Sequence, residues 1–263
     1  ELISIYEKKA KAKYRLMCAL IDEPVIDMEI VKDKLNISPA TVKALEADGI
    51  INVKVESYYR NPVSDKHIFN KKVVLNEEQQ RAVDTIVEDY DNRAFNTYLI
   101  RGVTGSGKTE VYLDVIEHTI NSGRQVIMLI PEIALTFQTV QRFYHRFGDK
   151  VSIINSRMSK GERYDQFVRA LKGEISIMIG PRSALFTQFP NLGLIVIDEE
   201  HEGAYISEQV PRYHAKDLAI HIAKEVGASV ILGSATPSID SYYRAEAGEY
   251  KLIELNNRAG EAS

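Results

Sequence analysis

A glycine-rich octapeptide limits the folds open to this chain more than any other part of its sequence. Residues 102–109 have the sequence GVTGSGKT, with an apolar run at 97–100 before them and a helix-compatible stretch after them. A strand that turns through glycines into a helix presents backbone N–H groups to a polyphosphate. The octapeptide therefore predicts a phosphate-binding loop, and the competing interpretation is a glycine-rich turn without a ligand.

The residue types of this loop suit ATP and Mg²⁺. Glycines allow the backbone to wrap closely around phosphate groups, a lysine supplies positive charge, and a hydroxyl can bind the metal ion. We predict ATP binding by Gly102, Gly105, Ser106, Gly107, Lys108 and Thr109. Within this set, Lys108 also has a catalytic role and Thr109 is a ligand of Mg²⁺.

An acidic segment about ninety residues later completes the pattern. The apolar run at 194–197 is typical of a parallel strand buried on both faces, and Asp198, Glu199, Glu200 and His201 follow it. Ligands of open α/β sheets bind at the carboxyl ends of the strands. We predict that Asp198 holds Mg²⁺ and that Glu199 orients or deprotonates the attacking water. Taken alone, the segment would be better explained as a solvated acidic turn, and it is the presence of the glycine-rich loop that favours a nucleotide site.

Composition is ordinary for a globular chain. The 263 residues are 44% apolar and 27% charged, which suits one large α/β domain and a small one. The net charge of −4 gives no sign of nucleic-acid binding, so local basic patches would have to carry it. Cys18 is the only cysteine, which excludes a disulfide or a cysteine zinc cluster within the chain. We predict a cytoplasmic location without a membrane partner, because no apolar stretch is long enough to span a bilayer.

The pattern divides the chain into two domains. Three short helices and a strand are predicted near residues 4–20, 28–35, 39–48 and 50–55. Ser38 is placed to cap the third helix and Pro39 fits its first turn. We predict a small winged-helix domain at 1–60, a linker at 61–74 and a larger domain at 75–263.

Strands and helices alternate in the larger domain. Strands are predicted near residues 97–101, 125–130, 151–155, 174–179, 193–197, 228–232 and 250–255. Helices are predicted near residues 77–89, 109–121, 133–146, 159–171, 214–226 and 238–246. This alternation predicts an α/β fold with a mostly parallel sheet covered by helices on both faces.

Several further motifs carry a family resemblance. The segments LNEEQ, PEIALT, IGPRSALF and GSATP, together with the acidic segment, resemble the ordered motifs of a RecA-like superfamily 2 helicase lobe; they begin at residues 75, 131, 179 and 233. The segments GVTGSGKTEVY, PRYHA and RAG, which begin at 102, 211 and 258, resemble the PriA family of bacterial replication-restart (primosomal) helicases in particular. The resemblance covers essentially the whole chain.

The resemblance implies an ATP-dependent 3′→5′ DNA helicase that acts in replication restart and primosome assembly at stalled forks. Its implied partners are forked and single-stranded DNA without sequence specificity, single-stranded DNA-binding protein and the primosome loading proteins. It implies that Gln79 reads the adenine, that His201, Ser234 and Thr236 couple nucleotide to DNA, and that Arg182, Tyr205 and Tyr213 bind DNA. For either tyrosine, a half-buried place in an ordinary surface loop is an equally good expectation.

The family is longer than this chain. Its members begin with a DNA 3′-end-binding domain and continue into a second motor lobe, a zinc-binding cysteine cluster and a C-terminal domain. We therefore expect a fragment, with zinc only in the missing downstream part and with little ATP hydrolysis by the chain alone. Two other classes remain open: a winged-helix transcription regulator with an ATP-binding switch domain, and an ATP-dependent small-molecule kinase.

Overall fold

A computed structural model of the chain describes residues 11–22, 31, 37–53 and 73–258. The chain separates into two compact units, Glu1–Tyr58 and Tyr59–Ser263. The predicted linker, 61–74, lies almost entirely outside the described residues. The predicted domain boundaries stay a prediction.

The first unit contains two described helices, α1 (Lys11–Asp22) and α2 (Pro39–Ala47). The Ser38 hydroxyl caps α2 by accepting the N–H of Thr41 at 3.3 Å, and a proline occupies the first turn, as predicted. A small apolar core is formed by Leu16, Val31, Ile37, Val42 and Leu45. Apart from Val31, the predicted second helix at 28–35 lies outside the described residues. Residues 50–53, the described part of the strand predicted at 50–55, do not form a strand, and the winged-helix assignment stays a prediction.

The second unit is built on a parallel sheet. Its described strands are β1 (Thr97–Gly102), β2 (Gln125–Leu129), β3 (Val151–Ile153), β4 (Ile177–Gly180), β5 (Leu192–Asp198), β6 (Ile206–Ser207), β7 (Tyr213–His214), β8 (Ser229–Ser234) and β9 (Lys251–Leu255). Seven of them form one sheet in the order β3-β4-β2-β5-β8-β1-β9, with every neighbouring pair parallel. The strands β6 and β7 pair separately as a short antiparallel hairpin.

Helices cover both faces of this sheet. They are α3 (Glu77–Asp91), α4 (Lys108–Asn121), α5 (Phe137–Phe147), α6 (Lys160–Leu171), α7 (Ala215–Val226) and α8 (Ile239–Glu246). Buried residues of α3, α4 and α5 share one core with Ile100 and Val196, whereas residues of α6, α7 and α8 share the other with Leu99 and Ile197. Successive side chains of a strand point to opposite faces, so each buried strand contributes side chains to both cores. The predicted fold class is confirmed.

Among the described residues of the second unit, a divided helix and a short hairpin are the clearest differences from the sequence prediction. The helix expected at 133–146 is divided into a 3₁₀ turn, Glu132–Ala134, and α5. Thr136 causes the division, because its hydroxyl accepts the N–H of Thr139 at 3.3 Å and starts a new helix. The hairpin of β6 and β7 was missed, since strands of two residues are too short to show an alternating pattern.

Strand register places three carboxyl ends side by side. Gly233 of β8 lies opposite Asp198 of β5 on one side and opposite Ile100 of β1 on the other. The glycine-rich loop leaves the end of β1 and the acidic segment leaves the end of β5, so both reach the same edge. Among the described residues, no helix is both long and apolar enough to cross a membrane.

Candidate active site

The glycine-rich loop has the backbone of an anion-binding turn. Gly105 and Gly107 have φ values of 85° and 79°, in the left-handed region that side chains disfavour. Gly107 is the N-cap of α4 and supplies no side-chain bond to the first turn of the helix. At the start of a helix, N–H groups without an intrahelical partner and the positive end of the helix dipole favour an anion, so this end of α4 is suited to a phosphate.

Side chains within the loop also fit a phosphate ligand. The Lys108 ammonium group donates to the carbonyl of Gly102 at 2.8 Å, and the residue is 8% exposed. The hydroxyl of Ser106 is buried and has no hydrogen-bond partner among the described residues. Buried polar atoms without a partner are rare in native proteins and commonly await a ligand or an ion. The loop thus fits the polyphosphate that the sequence predicts.

Gln79 connects the start of α3 to this loop. Its side-chain oxygen accepts the N–H of Asn76 at 2.9 Å, which completes a capping box, and its Nε2 donates to the carbonyl of Ser106 at 2.8 Å. Gln79 is 3% exposed. Both polar atoms of the Gln79 amide are therefore hydrogen-bonded within the protein, and they connect α3 to the glycine-rich loop. The contact of Gln79 with adenine stays a prediction.

Asp198 lies next to the phosphate-binding helix. The hydroxyl of Tyr112, a fully buried residue of α4, donates to Asp198 Oδ1 at 3.2 Å. Burial, with the charge of Glu199 second, raises the pKa of Asp198 to about 6, and the positive charge of Lys108 opposes this. Burial also raises the pKa of Tyr112 well above its usual value, so its hydroxyl stays a donor. The predicted Mg²⁺ ligand is therefore held by the helix that carries the predicted phosphate ligands.

The predicted coupling residues form one hydrogen-bonded chain. His201 Nδ1 lies 2.7 Å from the hydroxyl of Ser234, which accepts the N–H of Thr236 at 3.0 Å. The same ring nitrogen lies 3.7 Å from a carboxylate oxygen of Glu199, whose φ of 48° turns the backbone sharply after β5. The structure thus brings together the acidic segment and the end of β8. Their role in coupling stays a prediction.

Glu200 was missed as a distinct part of the site. Its side chain is buried, and its carboxylate accepts the N–H of Ser238 at 2.6 Å, the hydroxyl of Ser241 at 2.8 Å and the ammonium of Lys216 at 3.3 Å. Burial raises its pKa, but these hydrogen bonds and the lysine charge together outweigh burial and hold the pKa below its usual value. No sequence signal separates this glutamate from its two acidic neighbours.

The predicted DNA-binding residues have unequal access to solvent. Tyr213 is partly exposed and packs edge-to-face on Phe186 with ring centres 5.4 Å apart, and Phe186 is 49% exposed. Tyr205, in contrast, is 1% exposed. The predicted base stacking by Tyr205 is therefore corrected, because a ring enclosed by protein presents no face to a base. Phe186 was overlooked because it lies outside the loop from 202 to 213.

Arg182 lies against the start of this loop. Its Nη1 donates to the main-chain oxygens of Ala204 and Ile206 at 3.0 and 2.7 Å. The side chain is partly buried, and its contact with a DNA phosphate stays a prediction. The arrangement joins the segment after β4 to the hairpin that carries Tyr213.

The chain is similar in sequence to known helicases. Residues 76–245 match the profile of a family described as DEAD/DEAH box helicase. The chain is 42% identical over 257 residues to the replication restart protein PriA of Bacillus subtilis, with 95% of this chain and 32% of that protein covered. It is 41% identical over 246 residues to the protein of the same name from Haemophilus influenzae, with 90% of this chain and 33% of that protein covered.

A solved structure of RecG bound to a three-way DNA junction has the same fold in this region. The TM-score is 0.55 at 24% identity, over 73% of this chain and 25% of that chain. The chain spans about a third of the length of the curated relatives it matches. The relatives confirm the resemblance that the sequence motifs indicated.

Proposed function

The chain belongs to the DEAD/DEAH box helicase family, and on that basis we propose that it contains the ATP-binding lobe of an ATP-dependent 3′→5′ DNA helicase. The proposed setting is replication restart and primosome assembly at stalled forks, which the names of the relatives support. The proposed nucleic-acid ligands are forked and single-stranded DNA, bound without sequence specificity. Single-stranded DNA-binding protein and primosome loading proteins are the proposed protein partners.

One observation carries this proposal. The hydroxyl of Tyr112, one turn after Lys108 on α4, donates to Asp198 at the end of β5. The glycine-rich loop and the acidic segment, which are far apart in sequence, therefore form one site. A glycine-rich turn or an acidic turn without a ligand would not require this juxtaposition.

Residues of the glycine-rich loop and of the acidic segment would have different roles in ATP hydrolysis. Lys108, backbone N–H groups of the loop and the Ser106 hydroxyl would bind the phosphates, and Thr109 with Asp198 would hold Mg²⁺. When bound, Mg²⁺ neutralises phosphate charge and orients the transferred group. Glu199 would position and deprotonate the attacking water, with His201 and Ser234 holding the segment on which it lies.

The transcription-regulator alternative has less support. It accounts for a small helical domain beside an ATP site, but the profile match from 76 to 245 and the relatives both point to a motor. A small-molecule kinase would account for the glycine-rich loop, but it would not explain the helicase-like segments after β4 and β8.

Calorimetry with ADP and Mg²⁺ tests the nucleotide site in this chain. Replacement of Lys108 by alanine removes a charge-assisted contact of roughly 1.5–3 kcal/mol, so affinity is expected to fall by about tenfold to a hundredfold. Lys172→Ala is the matched control, because Lys172 is exposed after the end of α6 and distant in sequence from the loop. Equal ADP affinity in the wild type and Lys108→Ala would refute the assignment.

A further inference from the structure

The carboxylate of Glu78 binds the chain directly after β9. Its Oε2 accepts the N–H of Asn256 at 2.9 Å and that of Asn257 at 3.1 Å, and its Oε1 accepts an N–H of the Asn257 side chain at 2.9 Å. Hydrogen bonds to a charged acceptor are stronger than those between neutral groups. A residue in the first turn of α3 therefore restrains a segment that is far away in sequence.

The end of β9 also contacts the glycine-rich loop. Leu255 is 1% exposed and lies opposite Gly102, the first residue of the loop, in the pairing of β9 with β1. A Cβ added at Gly102 would lie 3.1 Å from the Cβ of Leu255, so there is little space between the loop and β9. The segment 255–257 thus contacts both the loop and the start of α3.

Gln79, the next residue of α3, connects this helix to the same loop. Its Nε2 donates to the carbonyl of Ser106 at 2.8 Å, and its Oε1 accepts the N–H of Asn76 at 2.9 Å. Glu78 and Gln79 lie in one helical turn, whose residues move together because backbone hydrogen bonds join them. The contacts therefore form a closed ring that runs from the loop to β9, to Glu78, to Gln79 and back to the loop.

We infer that Glu78 and Asn257 are positioning residues, which preorganise the glycine-rich loop for phosphate through Gln79. The buried hydroxyl of Ser106 has no hydrogen-bond partner among the described residues, so its position depends on how the backbone of the loop is held. A loop that is ordered before its ligand arrives loses less entropy on binding, and this raises the affinity. The inference rests on the proposed function, which supplies the phosphate ligand.

Two single substitutions disturb the contact, and their combination restores it. In Glu78→Gln the new amide oxygen still accepts the two backbone N–H groups, but the new N–H groups face those of the Asn257 side chain. In Asn257→Asp two carboxylates meet, and neither can donate. The double variant Glu78→Gln/Asn257→Asp pairs an amide donor with a carboxylate acceptor and keeps the net charge of the wild type.

Calorimetry of the 263-residue chain with Mg²⁺ and either ADP or pyrophosphate measures the effect. For each single variant we expect both affinities to fall by about threefold to tenfold, and for the double variant we expect the wild-type affinities. Pyrophosphate is the decisive probe, because it binds the loop without a base. Glu77→Gln is the matched control, since Glu77 is exposed in the same first turn of α3 and should keep both affinities.

The stoichiometry of binding separates positioning from a general loss of structure. A partly unfolded protein has fewer binding sites, whereas the affinity of each remaining site is unchanged. Because the contacts of Glu78 lie at the surface, we expect the wild-type stoichiometry in every variant. A lower stoichiometry at unchanged affinity in the single variants would overturn the inference.

The remaining outcomes distinguish the two proposals. If the wild type does not bind ADP, the proposed function fails and the inference falls with it. If the wild type binds ADP, the inference alone is overturned by single variants with wild-type affinities, by a double variant as weak as the single ones, or by a fall that Glu77→Gln shares. Absence of pyrophosphate binding by the wild type, or a fall confined to ADP, would also overturn it, because the contact would then not act through the loop.

Discussion

Three consecutive carboxylates at the end of β5 have three different environments. Asp198 accepts a hydrogen bond from Tyr112, Glu199 follows a sharp backbone turn toward His201, and Glu200 points into the protein. Burial raises the pKa of Asp198, whereas the hydrogen bonds and ion pair of Glu200 outweigh burial and lower its pKa. Neighbours in sequence therefore serve metal binding, water activation and structural support, respectively, in the mechanism proposed.

Glu200→Gln is expected to destabilise the second unit by about 1–3 kcal/mol at neutral pH, because the buried ammonium of Lys216 loses its closest carboxylate and keeps only that of Asp240, at 3.4 Å. The folded-state pKa of Glu200 is below its ordinary value of 4.5, so its contribution is present above that pH and is lost as the pH falls through the folded pKa. Urea unfolding at pH 7 and at a pH below 4.5 measures this, and the variant and wild type should converge in acid.

Glu254→Gln provides the comparison for this prediction. Glu254 forms an ion pair with Arg101 in which both side chains are largely exposed, so its loss should cost about 0–1 kcal/mol. A Glu200→Gln protein as stable as the Glu254→Gln protein at neutral pH would contradict the structural role of Glu200.

At the scale of elements, α4 is held to its surroundings by packing and by ion pairs. Its Glu110 pairs with Arg142 of α5, and Arg146 of α5 pairs with Asp114 and Glu117 of α4. On the sheet side, Tyr112 packs directly over Gly233 of β8. The helix that carries the predicted phosphate ligands is thus fixed between α5 and the carboxyl edge of the sheet.

Gly233→Ala should lower the free energy of unfolding by about 1–3 kcal/mol, because it overpacks this contact. An added Cβ would lie 1.6 Å from the hydroxyl oxygen of Tyr112 and 2.7 Å from its Cζ. Adding Tyr112→Phe removes the first clash and leaves the second, so the double variant should lose less stability than the sum of the single variants.

Denaturant unfolding of the four proteins of this cycle gives the coupling energy. Gly203→Ala is the control, since a Cβ at Gly203 meets nothing within 4 Å, and we expect a nearly neutral effect. Strict additivity of Gly233→Ala and Tyr112→Phe would show that the close approach does not constrain the helix.

At the scale of the whole molecule, the order of the strands creates the site. The strand β8 lies between β1 and β5 in the sheet, so the ends of all three meet at one edge. The exposed aromatic ring of Phe186 packs on the partly exposed Tyr213, which in turn contacts Arg182, a residue that follows β4. Phosphate contacts and stacked bases are suited to single strands of any sequence.

DNA binding by this chain should therefore be weak, insensitive to sequence and strongly weakened by salt. The net charge of −4 limits the number of phosphates that the chain neutralises, which keeps the affinity low. Fluorescence anisotropy with unrelated single strands and with a fork, each at two salt concentrations, measures this. A marked preference for one duplex sequence would favour the transcription-regulator alternative.

Local sequence was sufficient to predict most of the second unit. The glycine-rich loop, the buried strand before Asp198 and the alternation of strands and helices depend on neighbours within a few residues, so they are visible in the chain itself. The resemblance of the ordered motifs then indicated the family, which the profile match confirms. Among the described residues, the short hairpin, the division at Thr136 and the short 3₁₀ helices were missed, because each depends on a few residues without a periodic pattern.

The roles of single side chains were decided by the tertiary structure. Tyr205 and Tyr213 have the same chemistry and lie in the same loop, yet one ring is enclosed and the other is partly exposed. Glu200 differs from Glu199 in its burial and in its contacts with Lys216, Ser238 and Ser241, which are distant in sequence. A pattern of neighbouring residues specifies which strands and helices form. Burial and hydrogen bonding, in contrast, arise where segments that are distant in sequence meet. For this reason only the packed chain specifies which side chains remain available to a ligand.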